Sequence, residues 1–195
     1  MGDEEIPQQP VTAEDEARKK EEARQVEALK EINIDKQIDG LVRESEYLTA
    51  YLGVASIAGF FGGYYYLITA RSQMGFVFAV ALIGFSGSSV AALTSCLDRY
   101  ANGFELWYGT KVPKEAKDKD KQMFGRRMAR WLGVRPYLGL VVGPVFVWGI
   151  DFFAKDPDIF LNSPKHLAFS AFLGGLLAKS VLDLIKNLFK NVFRA

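Results

Sequence analysis

The apolar and polar positions of this chain are ordered around two long uncharged runs separated by a few residues. From Tyr47 to Thr69 no residue carries a charge, and a second uncharged run extends from Met74 to Leu97. At about 1.5 Å rise per residue, each is long enough as a helix to cross a hydrocarbon core of roughly 30 Å. Arg71 marks the turn of this tight helical hairpin. A third apolar run, Tyr137 to Phe153, is short for a crossing. It opens at Arg135-Pro136, where proline suits a first helical turn, and Pro144 is placed to kink it. After the turn signal Asn162-Ser163-Pro164 a fourth run starts at Leu167 and is broken by Lys179 and Asp183. Val181, Ile185, Leu188, Phe189 and Val192 then repeat at helical spacing opposite Lys186, Lys190 and Arg194, giving a basic amphipathic tail.

The pattern predicts an all-α integral membrane protein. It is a four-transmembrane-helix bundle with spans at about 47–69, 74–97, 137–153 and 167–185, a charged N-terminal cytoplasmic helix and a C-terminal amphipathic interfacial helix over 181–193. Two parts are expected, a cytoplasmic arm at 1–46 and a membrane domain at 47–195.

Within the arm, residues 1 to 11 read as a disordered lead-in with Pro7 and Pro10 among acids and glutamines. Thr12 and Asp15 resemble a capping box, and Ala13 to Ile32 is rich in helix formers. Its apolar stripe of Val26, Leu29 and Ile32 is thin, and Asn33 and Lys36 fall where a coiled coil needs its next apolar positions. A solvated, partly frayed helix is favoured over a self-associating one. Asn33 and Asp35 are expected to interrupt the helix. Ile38, Leu41 and Val42 then form a short apolar face that either lies in the headgroup region or begins the first span.

Charge changes the picture by giving the bundle a direction. The whole chain is nearly neutral, yet residues 1 to 46 hold fourteen acids and seven bases, whereas Asp98 to Arg135 holds ten bases and five acids. The basic middle loop 98–135 contrasts with the other two loops, which carry Arg71, Lys155 and Lys165. Positive residues favour the cytoplasmic side, so this loop, both termini and the tail are assigned there. Aromatic positions agree: Tyr64, Tyr65, Tyr66, Trp148 and Phe152 near the outer interface, and Trp107, Trp131 and Tyr137 near the inner one. The first 46 residues are too charged for a signal peptide's apolar core, which leaves insertion to the first span. Cys96 is the single cysteine, so neither a disulfide framework nor a thiolate cluster is expected.

Every span has small residues at spacing four. They are Gly59 and Gly63, then Gly84, Ser88 and Ala92, then Gly139 and Gly143, then Ser170, Gly174 and Ala178. Such residues let helix backbones approach closely in lipid, either inside one protomer or at a seam between protomers. Gly84, Ser88, Ala91 and Ser95 also form one small stripe, with Thr94 beside it. Its hydroxyls either line a narrow polar path or bond to nearby carbonyls. Lys179 and Asp183, four residues apart, form a candidate intramembrane charge pair, against the alternative of a lysine snorkelling to the interface. Arg126, Arg127 and Arg130, with Lys186 and Lys190, are the candidate contacts to anionic lipid headgroups. Nucleic acid is not expected, because positive-inside bias alone accounts for such a loop.

Enzymatic chemistry finds little support. His166 is the sole histidine, which leaves no histidine-based metal site and no Ser-His-Asp relay. No catalytic residue, metal or cofactor is expected. The pattern from Arg135-Pro136 to Leu188 resembles that of assorted bacterial membrane proteins, which implies a bacterial inner (plasma) membrane and no activity. The expected function is a non-enzymatic membrane component. It self-associates or joins a membrane complex through its glycine-rich faces, and presents the acidic arm and basic loop to a cytosolic protein partner. The alternative is an oligomeric ion channel or membrane-permeabilising effector.

Overall fold

The computed structural model describes residues 13–69, 72–107, 109–114, 122–153 and 163–192. Several expectations lie outside these residues: the lead-in with its Thr12 cap, the Arg71 turn, Lys117, Lys119 and Lys121 with Asp118 and Asp120, and the loop around Lys155. The side chains of Val26, Leu29, Ile185, Leu188, Phe189, Lys190 and Val192 also lie outside the described part.

Among the described residues five helices and one small hairpin follow in order: α1 (Ala13–Thr69), α2 (Gln73–Asn102), β1 (Gly103–Glu105), β2 (Lys111–Pro113), α3 (Arg126–Phe153), α4 (Pro164–Leu176) and α5 (Ala178–Val192). Among the described residues three helical stretches are long and apolar enough to cross a membrane: Lys30–Thr69, Gln73–Asn102 and Arg126–Phe152. Four candidate spans result if α4 and the first part of α5, bent by 59°, are taken as one broken span. The protein is therefore a mostly helical membrane protein. By itself α4, with 13 residues, is about 20 Å long, less than the roughly 30 Å hydrocarbon core.

Contacts divide the chain into two units, Met1–Gly40 and Leu41–Ala195. In the first, helix α1 runs through Asn33 and Asp35, which had been expected to interrupt it. The Asn33 side chain does not cap a new helix; its Oδ1 accepts from Gln37 Nε2 at 3.3 Å, one turn on. Arg18 and Glu22 pair at the same spacing, and the described charged side chains from Arg18 to Glu31 are all exposed.

In the second unit α2 is the central element. It starts at Ser72, whose hydroxyl accepts from Gly75 N at 3.1 Å, and ends at Gly103, where φ of +118° suits a residue without a Cβ. The 41–69 part of α1, α3 and α4 all pack on it. At one end Leu67, Ala79, Val80, Ile83, Val147, Leu167, Ala168 and Ala171 form a buried cluster, flanked by Phe60, Tyr64, Phe76 and Phe172. Phe60 meets Phe172 edge-on, linking α1 to α4, and Phe85 meets Tyr137 in the same way, linking α2 to α3.

The outward faces of α1 and α3 are apolar at helical spacing: Val54, Ile57, Phe61 and Ile68 on α1, and Val134, Val141 and Val145 on α3. Exposed aromatic residues close both ends of these stripes, Tyr47 and Trp131 at one end and Tyr65 and Trp148 at the other. Tyr47 to Tyr65 along α1 is about 27 Å and Trp131 to Trp148 along α3 about 26 Å, close to the bilayer's hydrocarbon thickness.

Three boundaries differ from the sequence pattern. Helix α3 starts at Arg126, well before Pro136, because Ala129, Leu132 and Pro136 give that earlier turn a buried face of its own. It also continues through both prolines, which membrane helices tolerate when neighbouring elements supply compensating bonds. The fourth run divides at Leu177, directly after the Gly174-Gly175-Leu176 stretch, where paired small residues weaken the helix. The middle loop is partly folded. β1 and β2 pair antiparallel with Phe104 opposite Val112, and Phe104 also bridges to Phe124.

The glycines decide the packing. A Cβ on Gly84 would overlap the Gly139 carbonyl and come 2.8 Å from Gly143 Cα, and one on Gly175 would overlap the Gly84 carbonyl. Gly53 and Gly62 of α1 have nothing within 4 Å of that position. Gly84→Ala is therefore expected to lower stability by about 1–3 kcal/mol through overpacking. Gly53→Ala and Gly62→Ala are expected to be neutral or to stabilise by about 0.5–1 kcal/mol through helix propensity. Thermal unfolding of the three variants in one detergent checks this, and equal shifts at all three positions would refute the junction.

Candidate functional site

The side chains with the most unusual surroundings lie between α2 and α3, about two to four helical turns in from the hairpin, and α5 also packs on α3. On α2, Ser88, Ala91 and Ser95 recur at steps of three and four and so share one face. Arg135 of α3 lies against that face and is 8 % exposed. Its Nη1 donates to the Ala91 carbonyl at 3.3 Å and to Ser95 Oγ at 3.1 Å, while Ser95 Oγ donates to the Ala91 carbonyl at 2.9 Å. Ser88 Oγ donates to the Arg135 carbonyl at 2.8 Å, so α2 and α3 are joined in both directions.

Arg135 Nε is buried without a hydrogen-bond partner among the described residues. An arginine that reaches along the helix toward the interface while its stem stays among apolar residues resolves the cost of burying a charge in a membrane protein. The arrangement staples two helices.

The candidate glycines fall at contacts within the chain. Gly59 and Gly63 face α2, with a Cβ placed 3.1 Å from the Leu82 carbonyl and 2.7 Å from Ile83 Cγ1 respectively. Gly84 meets Gly139 and Gly143, and Gly174 meets Phe146 Cβ at 2.6 Å. Ser88 is fully buried, and its hydroxyl is engaged as described. Lys179 and Asp183 are both exposed on the chain's surface, and among the described residues they form no ion pair with each other. Arg126, Arg127, Arg130 and Lys186 are exposed; Arg126 lies 3.8 Å from Glu44 of α1. The structure thus brings Gly84, Ser88, Gly139 and Gly143 together with Arg135, and leaves the charged candidates at the surface.

Sequence reasoning missed three members of this centre. Arg135 counted as one more loop base, although Ser88 and Ser95, seven residues apart on α2, marked a polar track for it. Gly87, whose Cβ would overlap the Phe172 carbonyl, and Gly175 lie outside the spacing-four pairs that drew attention to their neighbours. Other hydroxyls are spent on carbonyls too: Ser86 on Ser56 of α1 at 2.6 Å, and Ser89 on Phe85 of its own helix at 2.8 Å. Among the described residues no group of three His, Cys, Asp or Glu is placed to hold a metal ion.

Architecture and site define the class as a multi-pass helical membrane protein with a buried interhelical arginine. No protein-family model, curated protein or solved structure matches the chain.

Ser88→Ala is expected to cost about 0.6–1.7 kcal/mol, the range for hydrogen bonds between membrane helices. Ser89→Ala, which loses a bond within one helix, should cost less. A double-mutant cycle of Arg135→Gln with Ser95→Ala should give a coupling of about 0.5–3 kcal/mol, and strictly additive unfolding energies would show that the two side chains do not interact.

Proposed function

We propose that this protein is a non-enzymatic component of a membrane assembly, a four-span bundle with both termini on the cytoplasmic side that presents its charged N-terminal helix to a cytosolic protein partner. The observation that carries this reading is the division of chemistry between the two units. In the membrane unit the glycines of every candidate seam are used against the chain's own helices, and the buried serine and arginine groups are used to join them. In the first unit the described charged side chains from Arg18 to Glu31 are exposed, and Ile32 is half exposed among them. A polar helix of this kind is marginal in water by itself and gains stability from a partner that covers it.

Arg99, Lys111, Lys114, Arg126, Arg127 and Arg130 cluster where α2 ends and α3 begins, which supports a cytoplasmic position for that end by the positive-inside rule. A bacterial inner membrane is the setting this orientation assumes. Association within the membrane would use faces that still have room, such as those around Gly53 and Gly62 of α1 and Gly149 of α3, where nothing lies within 4 Å of a Cβ.

The test is site-specific photo-crosslinking in the native membrane from exposed positions of the arm, Glu21, Glu27 and Glu31, with Gly149 of the membrane unit as reference. The expected result is one discrete cytosolic crosslink from the arm positions. It should disappear when Glu21, Glu22, Glu27 and Glu31 are changed to lysine, with thermal unfolding of the membrane unit unaltered. Identical crosslinks from the original and charge-reversed chains would refute the arm as a binding element. Ion flux through reconstituted vesicles at neutral pH that is abolished by Lys179→Leu, with assembly mass unchanged, would replace this reading by the channel.

A further inference from the structure

The middle loop contains a built surface that the proposed function leaves unused. Leu106 N donates to the Thr110 carbonyl at 2.9 Å and Gly109 N to the Leu106 carbonyl at 3.0 Å, so the tip between β1 and β2 is a closed turn; Gly109, with φ of +75°, supplies the left-handed residue such a turn favours. One side of the hairpin is anchored, with Phe104, Leu106, Met123 and Phe124 all buried. Lys114 N donates to the Asn102 carbonyl at 3.4 Å, and Lys114 Nζ stands 3.4 Å above the centre of the Tyr100 ring. The opposite side presents Trp107, which is 67 % exposed although apolar neighbours close by are buried.

The Arg126 guanidinium lies 5.0 Å from the centre of the Trp107 ring and 3.8 Å from the Glu44 carboxylate, so the tip is held to α3 and through it to α1. Arg127, next to Arg126 in the first turn of α3, and Arg130, one turn on from Arg126, are exposed, and the neighbouring Trp131 is 41 % exposed. A closed turn that holds an indole outward against the Arg126 guanidinium, itself matched to Glu44, with Arg127 and Arg130 exposed along the start of α3, has the chemistry of a headgroup layer. Indole is amphipathic and prefers that depth, and arginine binds phosphate with two donors at once.

We propose that the β1–β2 hairpin is a membrane-surface anchor: Trp107 enters the headgroup layer of the bilayer, and Arg127 and Arg130 bind the phosphates of anionic lipids beside it. The proposal rests on the reading of α2 and α3 as spans that end at this surface. It gives the hairpin a fixed level against the bilayer, so that the first turn of α3 emerges at a defined height.

The experiment uses full-length protein in vesicles whose lipids are brominated on the acyl carbons nearest the headgroup, with and without phosphatidylglycerol. One variant carries Trp131→Phe and Trp148→Phe and leaves Trp107 as the emitter. A second carries Trp107→Phe and Trp131→Phe and leaves Trp148, on the outward face of α3. The expected result is loss of emission from both. For Trp107 the loss should be larger with phosphatidylglycerol and reduced to the level of uncharged lipid by Arg127→Gln with Arg130→Gln. Quenching of Trp148 with full emission from Trp107 would overturn the hairpin anchor and leave the membrane spans standing. Full emission from both would overturn the spans themselves. Quenching of Trp107 that ignores both phosphatidylglycerol and the arginine changes would overturn the pairing of arginine with phosphate.

Discussion

The close approach of three backbones at Gly84 is the contact on which the membrane unit depends. Gly139 and Gly143 of α3 and Gly175 of α4 all come within side-chain distance of it, and each would lose that position on gaining a Cβ. In lipid the acyl chains are as apolar as leucine, so burying apolar surface between helices gives little preference for one arrangement over another. Preference comes from atoms packed at contact distance, and glycine permits that contact along the backbone itself. With α3 and α4 fixed on the same turn of α2, the positions of the remaining elements follow. Phe146 fits over Gly174, Ser88 comes within reach of the Arg135 carbonyl, and α2 ends where the hairpin can fold against the start of α3.

Polar groups complete what the glycines begin. The hydroxyls of Ser86 and Ser88 are donated to carbonyls on neighbouring helices, and Arg135 returns a bond to the Ala91 carbonyl of the helix that Ser88 extends from. In a medium without water an unpaired hydroxyl is costly, so each such group either bonds its own helix, as Ser89 does, or fixes a neighbour. Arg135 is the most demanding member, because its charge needs either a counterion or a route toward water. Its path along α2 to Ser95 provides the route, and its Nε, without a partner among the described residues, marks what this packing leaves unmet.

How much of this was legible in the sequence depended on the range of the interaction involved. The uncharged runs announced helices that suit a membrane, because composition over some twenty residues carries that information locally. The small-residue spacing singled out Gly84, Ser88, Gly139 and Gly143. Which glycine meets which helix depends on rotation of each helix about its axis, and that is set by all its neighbours together. Gly175 was hidden for this reason, although it adjoins Gly174. The helix start at Arg126 was hidden because Pro136 is a strong local signal, and the buried faces of Ala129 and Leu132 exist only once the hairpin is folded. Asn33 and Asp35 misled in the opposite way. Their preference for caps is real but weak, and the helix-forming stretches before Ile32 and after Asp35, with the bond between the Asn33 and Gln37 side chains, are enough to override it.

Within the membrane unit most of the polar chemistry is already used between helices. Midway between the two aromatic levels, the residues facing inward are occupied in holding helices together, and those facing outward are the apolar side chains that lipid requires. Among the described residues, exposed charged side chains remain on the first unit, at Lys179, Asp183 and Lys186 of α5, and at Arg127 and Arg130 of α3, and the Trp107 indole is exposed on the hairpin. Along that middle the interior is spent on joining the chain's own helices, through glycine contacts and through the hydroxyl and guanidinium bonds between α2 and α3.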